Sequence, residues 1–483
     1  MDSKMRAEGM TQVRVKAVEA AAIALALLLG VAVFLVPANY LLTLGLGAGL
    51  AVGMVFQPFL GLVTLLAYYF MQPGVLLPML TAFHGFRWLI LVVLGAWLLR
   101  QTYGNPRPLT RHRVNLAMFL FLGSMVVSIP LAVWPGKAFS STLDFSKTVV
   151  LYLLVVNLID SRRRLRIALT TIILCLGLVA GIQSLGHMGI YSGSYVRVST
   201  INDLQLGTVY TRSGGVAEGF LGHPDDFAVA LLFAIPLSWA ALISARQKAG
   251  RAFFAALTAL LTYSVILTGS RGGAVGLLCI LAFAWLSSRA KLRLAVLGLC
   301  GLAVLWYASP DSFQMRMSGL TTGEYRVDSG VTARFHAWAM AKQMFLEHPL
   351  TGVGAGNYNA ARWTSYRDPG EKAILTTHSI YYMAAAELGI LGLLALGYLI
   401  ASTFLANRRT RAGLRHRAGD DQPSLIRLSY ALDATLVGYL VSGAFITVLT
   451  YPYLYLIAGL SVALSQVVAE RSFGEVAHKT EKR

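Results

Sequence analysis

Long apolar runs constrain this chain more than any other feature. VEAAAIALALLLGVAVFLV (18–36) carries one charge, at its edge, and VNLAMFLFLGSMVVSIPLAVW (114–134) carries none. A helix needs about 20 predominantly apolar residues to cross a bilayer core, where every backbone polar group must be satisfied within the segment. Fourteen such segments can be marked, from about 17–37 to about 451–468, the least distinct being 58–80 with its Pro73 and Pro78. Only 13% of the residues are charged, against about 25% in a soluble domain. That leaves too little polar surface to cover a water-soluble core of this size. The expectation is an all-α fold: one polytopic helical integral membrane domain over 1–483, with about 12–14 transmembrane helices. The first run is expected to stay in place as a span. Its apolar stretch is too long for a removable leader, and the VPANYLL after it lacks a small-x-small cleavage pattern.

A net charge of +19 would suit a nucleic-acid partner, but its distribution assigns it elsewhere. Cytoplasmic loops of membrane proteins collect Lys and Arg. With the N-terminus inside, the basic clusters around Arg14, Arg111, Arg163, Arg246, Arg289, Arg409 and Lys482 all fall on the inner face. Membrane topology therefore accounts for the basic excess, and no nucleic-acid partner is expected. Two long loops, 189–224 and 309–378, then lie outside, and each is expected to carry short helices. Loops of this length in a compact fold are usually functional.

The second loop contains HPLTGVGAGNY (348–358), whose alternating glycines suggest a nucleotide cradle. Nothing else supports that reading. No strand precedes the glycines, the Lys-Ser/Thr of a P-loop is missing, and the loop lies on the face away from cytoplasmic ATP. The glycines are read instead as a tight turn closing an amphipathic helix, RFHAWAMAKQMFLEH (334–348). Phe335, Trp338 and Met344 or Phe345 approximate its apolar face. Such a helix either lies at the membrane surface or packs on the transmembrane bundle.

Four residues on the outer side draw attention as carriers of chemistry: Arg212 in YTRSGGVAEGF, Arg271 in LTGSRGGAVG, Arg334 in VTARFHAW and His378 in LTTHSIYYM. Arg271 sits in a tight turn flanked by Gly269, Gly272 and Gly273, where a guanidinium either meets a phosphate through two N–H groups or snorkels to the interface. If His378 opens a helix, Tyr381 and Tyr382 share its face at i+3 and i+4. The histidine is then either a general base facing a hydroxyl or part of an aromatic belt. Glu387, deeper in the same segment, is read as a structural partner for another helix. Asp225 and Asp226 follow Pro224 at the start of a span, where the helix dipole favours acids. Glu218 is a further candidate for orienting an arginine or a sugar. Cys175, Cys279 and Cys300 lie inside apolar runs. Neither they nor His187, His223, His336 and His348 have metal-ligand spacing, so no metal is expected.

Taken in order, these stretches resemble the bacterial O-antigen ligase and polysaccharide polymerase superfamily. The likeness rests on Arg212-Ser-Gly-Gly215, then Thr268-Gly-Ser-Arg-Gly272 at a turn, then Arg334 and HPLTGVGAGNY, then His378-Ser379 leading into AAELGILGLL, and it covers about 205–400. Two positions depart from the pattern: Ser379 stands where asparagine often follows the histidine, and Asp225 where asparagine often follows the proline. The resemblance implies a metal-independent, inverting glycosyltransferase of the bacterial inner membrane, with both termini cytoplasmic, no cofactor and its site on the periplasmic face. The donor would be a glycan on undecaprenyl diphosphate. The acceptor would be another glycan, lipid A core or protein. By that likeness Arg271 and Arg334 would bind the diphosphate with Arg212 assisting, and His378 would activate the acceptor hydroxyl. A transporter or flippase of lipid-linked saccharide is the rival reading. It predicts internal repeats and ionisable residues at the membrane midplane; no convincing repeat is found, and the spans are almost free of charge.

Overall fold

The computed structural model describes residues 45, 49, 52–77, 80–81, 84–103, 108–193, 195–196, 198–203, 208–216, 219–288, 290–318, 329–366, 376–415 and 422–480. Twelve helices occupy the positions of the third to fourteenth apolar segments; the segment at 17–37 lies outside the described residues. In chain order, α1 is Pro58–Met71, α2 Gly85–Tyr103, α3 Arg113–Ser128, α4 Pro135–Leu158 and α5 Arg162–His187. A β-hairpin follows, β1 Val198–Asp203 and β2 Thr208–Ser213. Next come α6 Pro224–Ser244, α7 Lys248–Leu267, α8 Arg271–Ser287 and α9 Lys291–Tyr307. The second long loop holds α10 Asp311–Ser318, α11 Ser329–Glu347 and the short α12 Tyr358–Ala361. The chain closes with α13 Ile380–Arg415, α14 Gln422–Gly443 and α15 Pro452–Thr480. Among the described residues, eight helices are long and apolar enough to cross a membrane, and α1 and α8 are shorter apolar helices.

Local chemistry sets the helix starts. Ser161 accepts from the Arg164 N–H, Ser270 from the Gly273 N–H and His223 from the Asp225 N–H, each satisfying one of the unpaired donors of a first turn. Pro224 and Pro135 sit at first helical positions, where a missing N–H costs nothing. The bundle is centred on α6, in which every residue from Phe227 to Ser238 is buried. It packs between α7 and α14, and α8, which also touches α6, packs against α14. Small residues make that last contact close: a Cβ on Gly276 would meet Ser442 Oγ at 2.2 Å, and one on Gly438 would meet Ile280 at 2.5 Å. No residue of α9 is buried, which places it on the periphery.

Two expectations about the loops need correction. Among its described residues the first long loop carries a β-hairpin and no helix; VSTIND and TVYTRS pair antiparallel, with Ser199 opposite Arg212. The amphipathic stretch does pack on the bundle, against α13, with Ala337, Ala341 and Met344 buried and Trp338 stacked on Tyr382, whereas Phe335 is left out of the contact. Phe335 is 59% exposed. Small side chains on that face allow α11 to lie close to α13.

Candidate active site

The alternation of the helices brings the starts of α6, α8 and α13 and the ends of α7 and α14 to one end of the bundle, opposite the basic clusters. The site is built there around Asp225. Arg212, delivered by β2, donates from Nη2 to Asp225 Oδ1 at 2.6 Å and from Nε to the Thr268 carbonyl at 2.9 Å. Both side chains are buried, so this ion pair fixes the hairpin against the α7–α8 turn. Arg334 of α11 brings its Nη2 to 3.8 Å from Asp225 Oδ2, and His223 Nδ1 lies at the same distance from that oxygen. One carboxylate thus gathers two arginines and a histidine from three separate segments. Sequence reading gave Asp225 only its helix-start role; its partner Arg212 is thirteen residues upstream and reaches it only through the fold.

Arg271 is the first residue of α8, and the turn that presents it is held from three sides. Gly269 adopts a left-handed φ of +60°, a conformation open to glycine at no steric cost. Ser442 donates to the Gly272 carbonyl at 2.8 Å, and a Cβ on Gly273 would meet Ala228 at 2.7 Å. The Thr268 carbonyl of the same turn is the one that Arg212 grips. Arg271 is therefore mounted on the framework that orients Arg212.

His378 is not the first residue of a helix. Its φ is +44°, a left-handed backbone that non-glycine residues seldom adopt, and α13 begins two residues later. The i+3 and i+4 relation to the tyrosines therefore fails. The Tyr381 hydroxyl donates to the Leu440 carbonyl at 3.0 Å, tying α13 to α14, and Tyr382 stacks on Trp338 at 5.2 Å. Burial, helped by the Arg334 guanidinium and by His223 and opposed by Asp225, lowers the His378 pKa to about 4. An ordinary histidine titrates near 6.5. At neutral pH the ring is uncharged and has one nitrogen able to accept a proton. Trp338, which sequence reading placed only on an apolar face, donates from Nε1 to the Thr377 carbonyl at 2.8 Å beside the histidine. It lies one turn after Arg334 on the same face of α11, so its anchoring also directs that arginine. Glu218 lies outside the described residues.

The glycine stretch has a structural task in this assembly. Gly352, Gly354 and Gly356 have φ of +64°, +101° and +69°, and a Cβ on Gly352 would stand 2.4 Å from the Glu387 backbone. The loop docks where α13 breaks at Gly389, whose φ is +61°. There Val353 N–H donates to the Ala386 carbonyl at 2.8 Å and Ile390 N–H to the Pro349 carbonyl at 2.8 Å, replacing helical partners. Glu387 completes the joint by accepting from the Gly356 N–H at 2.8 Å and the Tyr358 N–H at 3.2 Å. Its partner is thus a loop rather than another helix. The Tyr358 hydroxyl donates in turn to the Ala337 carbonyl of α11 at 2.9 Å, three residues beyond Arg334.

Residues 254–397, which run from α7 to the first half of α13 and hold Arg271, Arg334, the glycine loop and His378, match the O-antigen ligase family model. Over this stretch the chain is similar to the O-antigen ligase family. That similarity implies a function of the O-antigen ligase or polymerase type. No curated protein matches the chain. Arg212 and Asp225, on the β-hairpin and α6, lie before the matched region.

Proposed function

We propose that the protein transfers a glycan from undecaprenyl diphosphate to an acceptor hydroxyl on the periplasmic face of the inner membrane, as an O-antigen ligase or an O-antigen or exopolysaccharide polymerase. The observation that carries this reading is the convergence of Arg212, Asp225, Arg334 and a neutral His378 at the end of the bundle away from the basic loops. Displacing a lipid diphosphate leaves negative charge on the departing phosphate oxygen, and preorganised cations stabilise that charge most in a dry site. Arg271 and Arg334 take this role, since guanidinium stays charged at any working pH and offers two N–H groups to one phosphate. Arg212, engaged by Asp225 and the Thr268 carbonyl, assists by holding both in register. His378 removes the acceptor proton. The acceptor oxygen attacks the anomeric carbon from the side opposite the diphosphate, which inverts its configuration. Asp225 then faces the imidazolium that forms and partly balances its charge.

The reading is tested by reconstituting the purified protein in vesicles with an undecaprenyl-diphosphate-linked glycan and an acceptor. Free undecaprenyl diphosphate and an extended glycan should appear without added metal or nucleotide. Intact lipid-linked glycan crossing the bilayer, with no extension, would instead establish the transporter or flippase reading.

A further inference from the structure

A cavity of about 310 Å³ opens at the same end of the bundle. That lies at the lower end of small-molecule pockets, roughly 300–1,000 Å³. Its lining comes from the end of α1, the connection to α2, the start of α2, α4 and Gly219, and includes Tyr68, Gln72, His84, Arg87 and Lys147. Three observations mark it as a built site. Gln72 Nε2 is buried without a hydrogen-bond partner among the described residues, a state that ordinarily costs about 1–3 kcal/mol. Gln72 and His84 have left-handed φ of +46° and +51°; with His378 they are the three non-glycine residues of that kind among the described residues. Backbone strain of this sort persists where the surrounding structure enforces it, often at ligand sites. Gln72 takes this conformation as the C-cap of α1, its N–H donating to the Tyr68 carbonyl. The packing around the cavity is close: a Cβ on Gly219 would fall 2.2 Å from Gln72 Oε1, and one on Gly85 would fall 2.8 Å from the Tyr68 hydroxyl.

The chemistry of the lining points to a ligand class. Tyr68 and Phe86 place their rings 5.9 Å apart along one wall, a surface suited to the C–H face of a pyranose. Gln72, Thr81 and His84 offer donors and acceptors for hydroxyls. Arg87 and Lys147 share the single carboxylate of Asp144, which binds Lys147 directly and lies 3.6 Å from Arg87, so one positive charge is left over. The 219–223 loop joins this cavity to the catalytic cluster. Phe220 stacks on Tyr69 at 4.4 Å and meets Tyr451 edge-on at 5.7 Å, and three residues further His223 caps α6.

We propose that this cavity is a remote saccharide subsite that takes a sugar bearing an anionic group, a uronate or a phosphorylated sugar, within the glycan that the proposed transferase handles. The inference rests on the transferase reading for its purpose. Binding so far from the reacting bond would hold the glycan in position while its end is transferred.

The test is binding to the full-length protein in nanodiscs of phosphatidylcholine, using a fluorescent oligosaccharide that contains glucuronic acid and its carboxyl-reduced, neutral counterpart. A hydrogen-bonded charge contact predicts a preference of about tenfold or more for the acidic form. Arg87→Gln with Lys147→Gln, both at partly exposed positions, should abolish the preference, and Gln72→Ala should weaken both forms. Arg271→Ala should leave binding unchanged, so the result stands or falls apart from transfer activity. Equal binding of the two oligosaccharides, or an unaltered preference in the double variant, would overturn the proposal. So would displacement of the oligosaccharide by phosphatidylglycerol with equal loss of both forms, which would mark a lipid headgroup site.

Discussion

Glu387 offers the most direct test of how the site is held. Its carboxyl oxygens accept from two backbone donors, the partly buried N–H of Gly356 and the buried N–H of Tyr358. Glu387→Ala leaves both donors without an acceptor. Each such loss costs about 1–3 kcal/mol, so the loop should lose about 2–6 kcal/mol of local stability. At about 1.4 kcal/mol per tenfold change in an equilibrium, the open population of the loop rises by about 30-fold or more. Hydrogen exchange read by mass spectrometry on peptides covering 349–358 measures this directly, because exchange tracks local opening. Glu387→Gln keeps one acceptor oxygen and should accelerate exchange by a smaller factor. Activity should fall with the loop, since Tyr358 ties it to the Ala337 carbonyl and so to the helix carrying Arg334. A core peptide from α6 should exchange as in the wild type. Unchanged protection of Gly356 and Tyr358 in a folded Glu387→Ala protein would refute the clamp.

Three further outcomes are expected. Arg271→Ala should lose about 2–4 kcal/mol of transition-state stabilisation in the reconstituted transfer assay, by analogy with a lost oxyanion donor, and Arg271→Lys should recover little because it lacks the planar fork; near-normal turnover by either would remove the arginine from the diphosphate. His378→Gln should cut turnover by about 10²–10⁴-fold while labelled donor still binds. The wild-type rate should hold as pH falls past 6.5 and drop only towards about 4, where the buried ring takes its proton; the same depressed value means that His378 favours the folded state above 6.5 and that this contribution is lost as pH falls towards 4. A midpoint near 6.5 would count against the buried, neutral base. Asp311→Cys should react with a membrane-impermeant thiol reagent in intact cells, and labelling seen only after permeabilisation would reverse the topology.

Properties that depend on residues close together in the chain were legible in the sequence. Hydropathy located all eight described helices that are long and apolar enough to cross a membrane, because burial in lipid acts segment by segment. The Lys and Arg clusters set the two faces, and the turn Thr268-Gly-Ser-Arg-Gly272 announced a candidate arginine through its glycines alone. What the tertiary structure decided lies in pairings between distant residues. Local apolar patterning could not separate the Ala337, Ala341 and Met344 face of α11 from the one suggested by its aromatics, because the choice depends on how closely α13 approaches. The hairpin at 198–213 has little hydrophobic alternation and is held largely from outside, by Arg212 on Asp225 and Gln183 on the Ser213 carbonyl. The low pKa of His378 comes from its burial and from the Arg334 guanidinium on α11, both products of the assembled fold. The glycines of HPLTGVGAGNY read as a turn, but why there are three of them follows only from their contact with a helix broken at Gly389: a side chain at Gly352 would collide with that backbone, a constraint that does not exist until the loop and the helix have met.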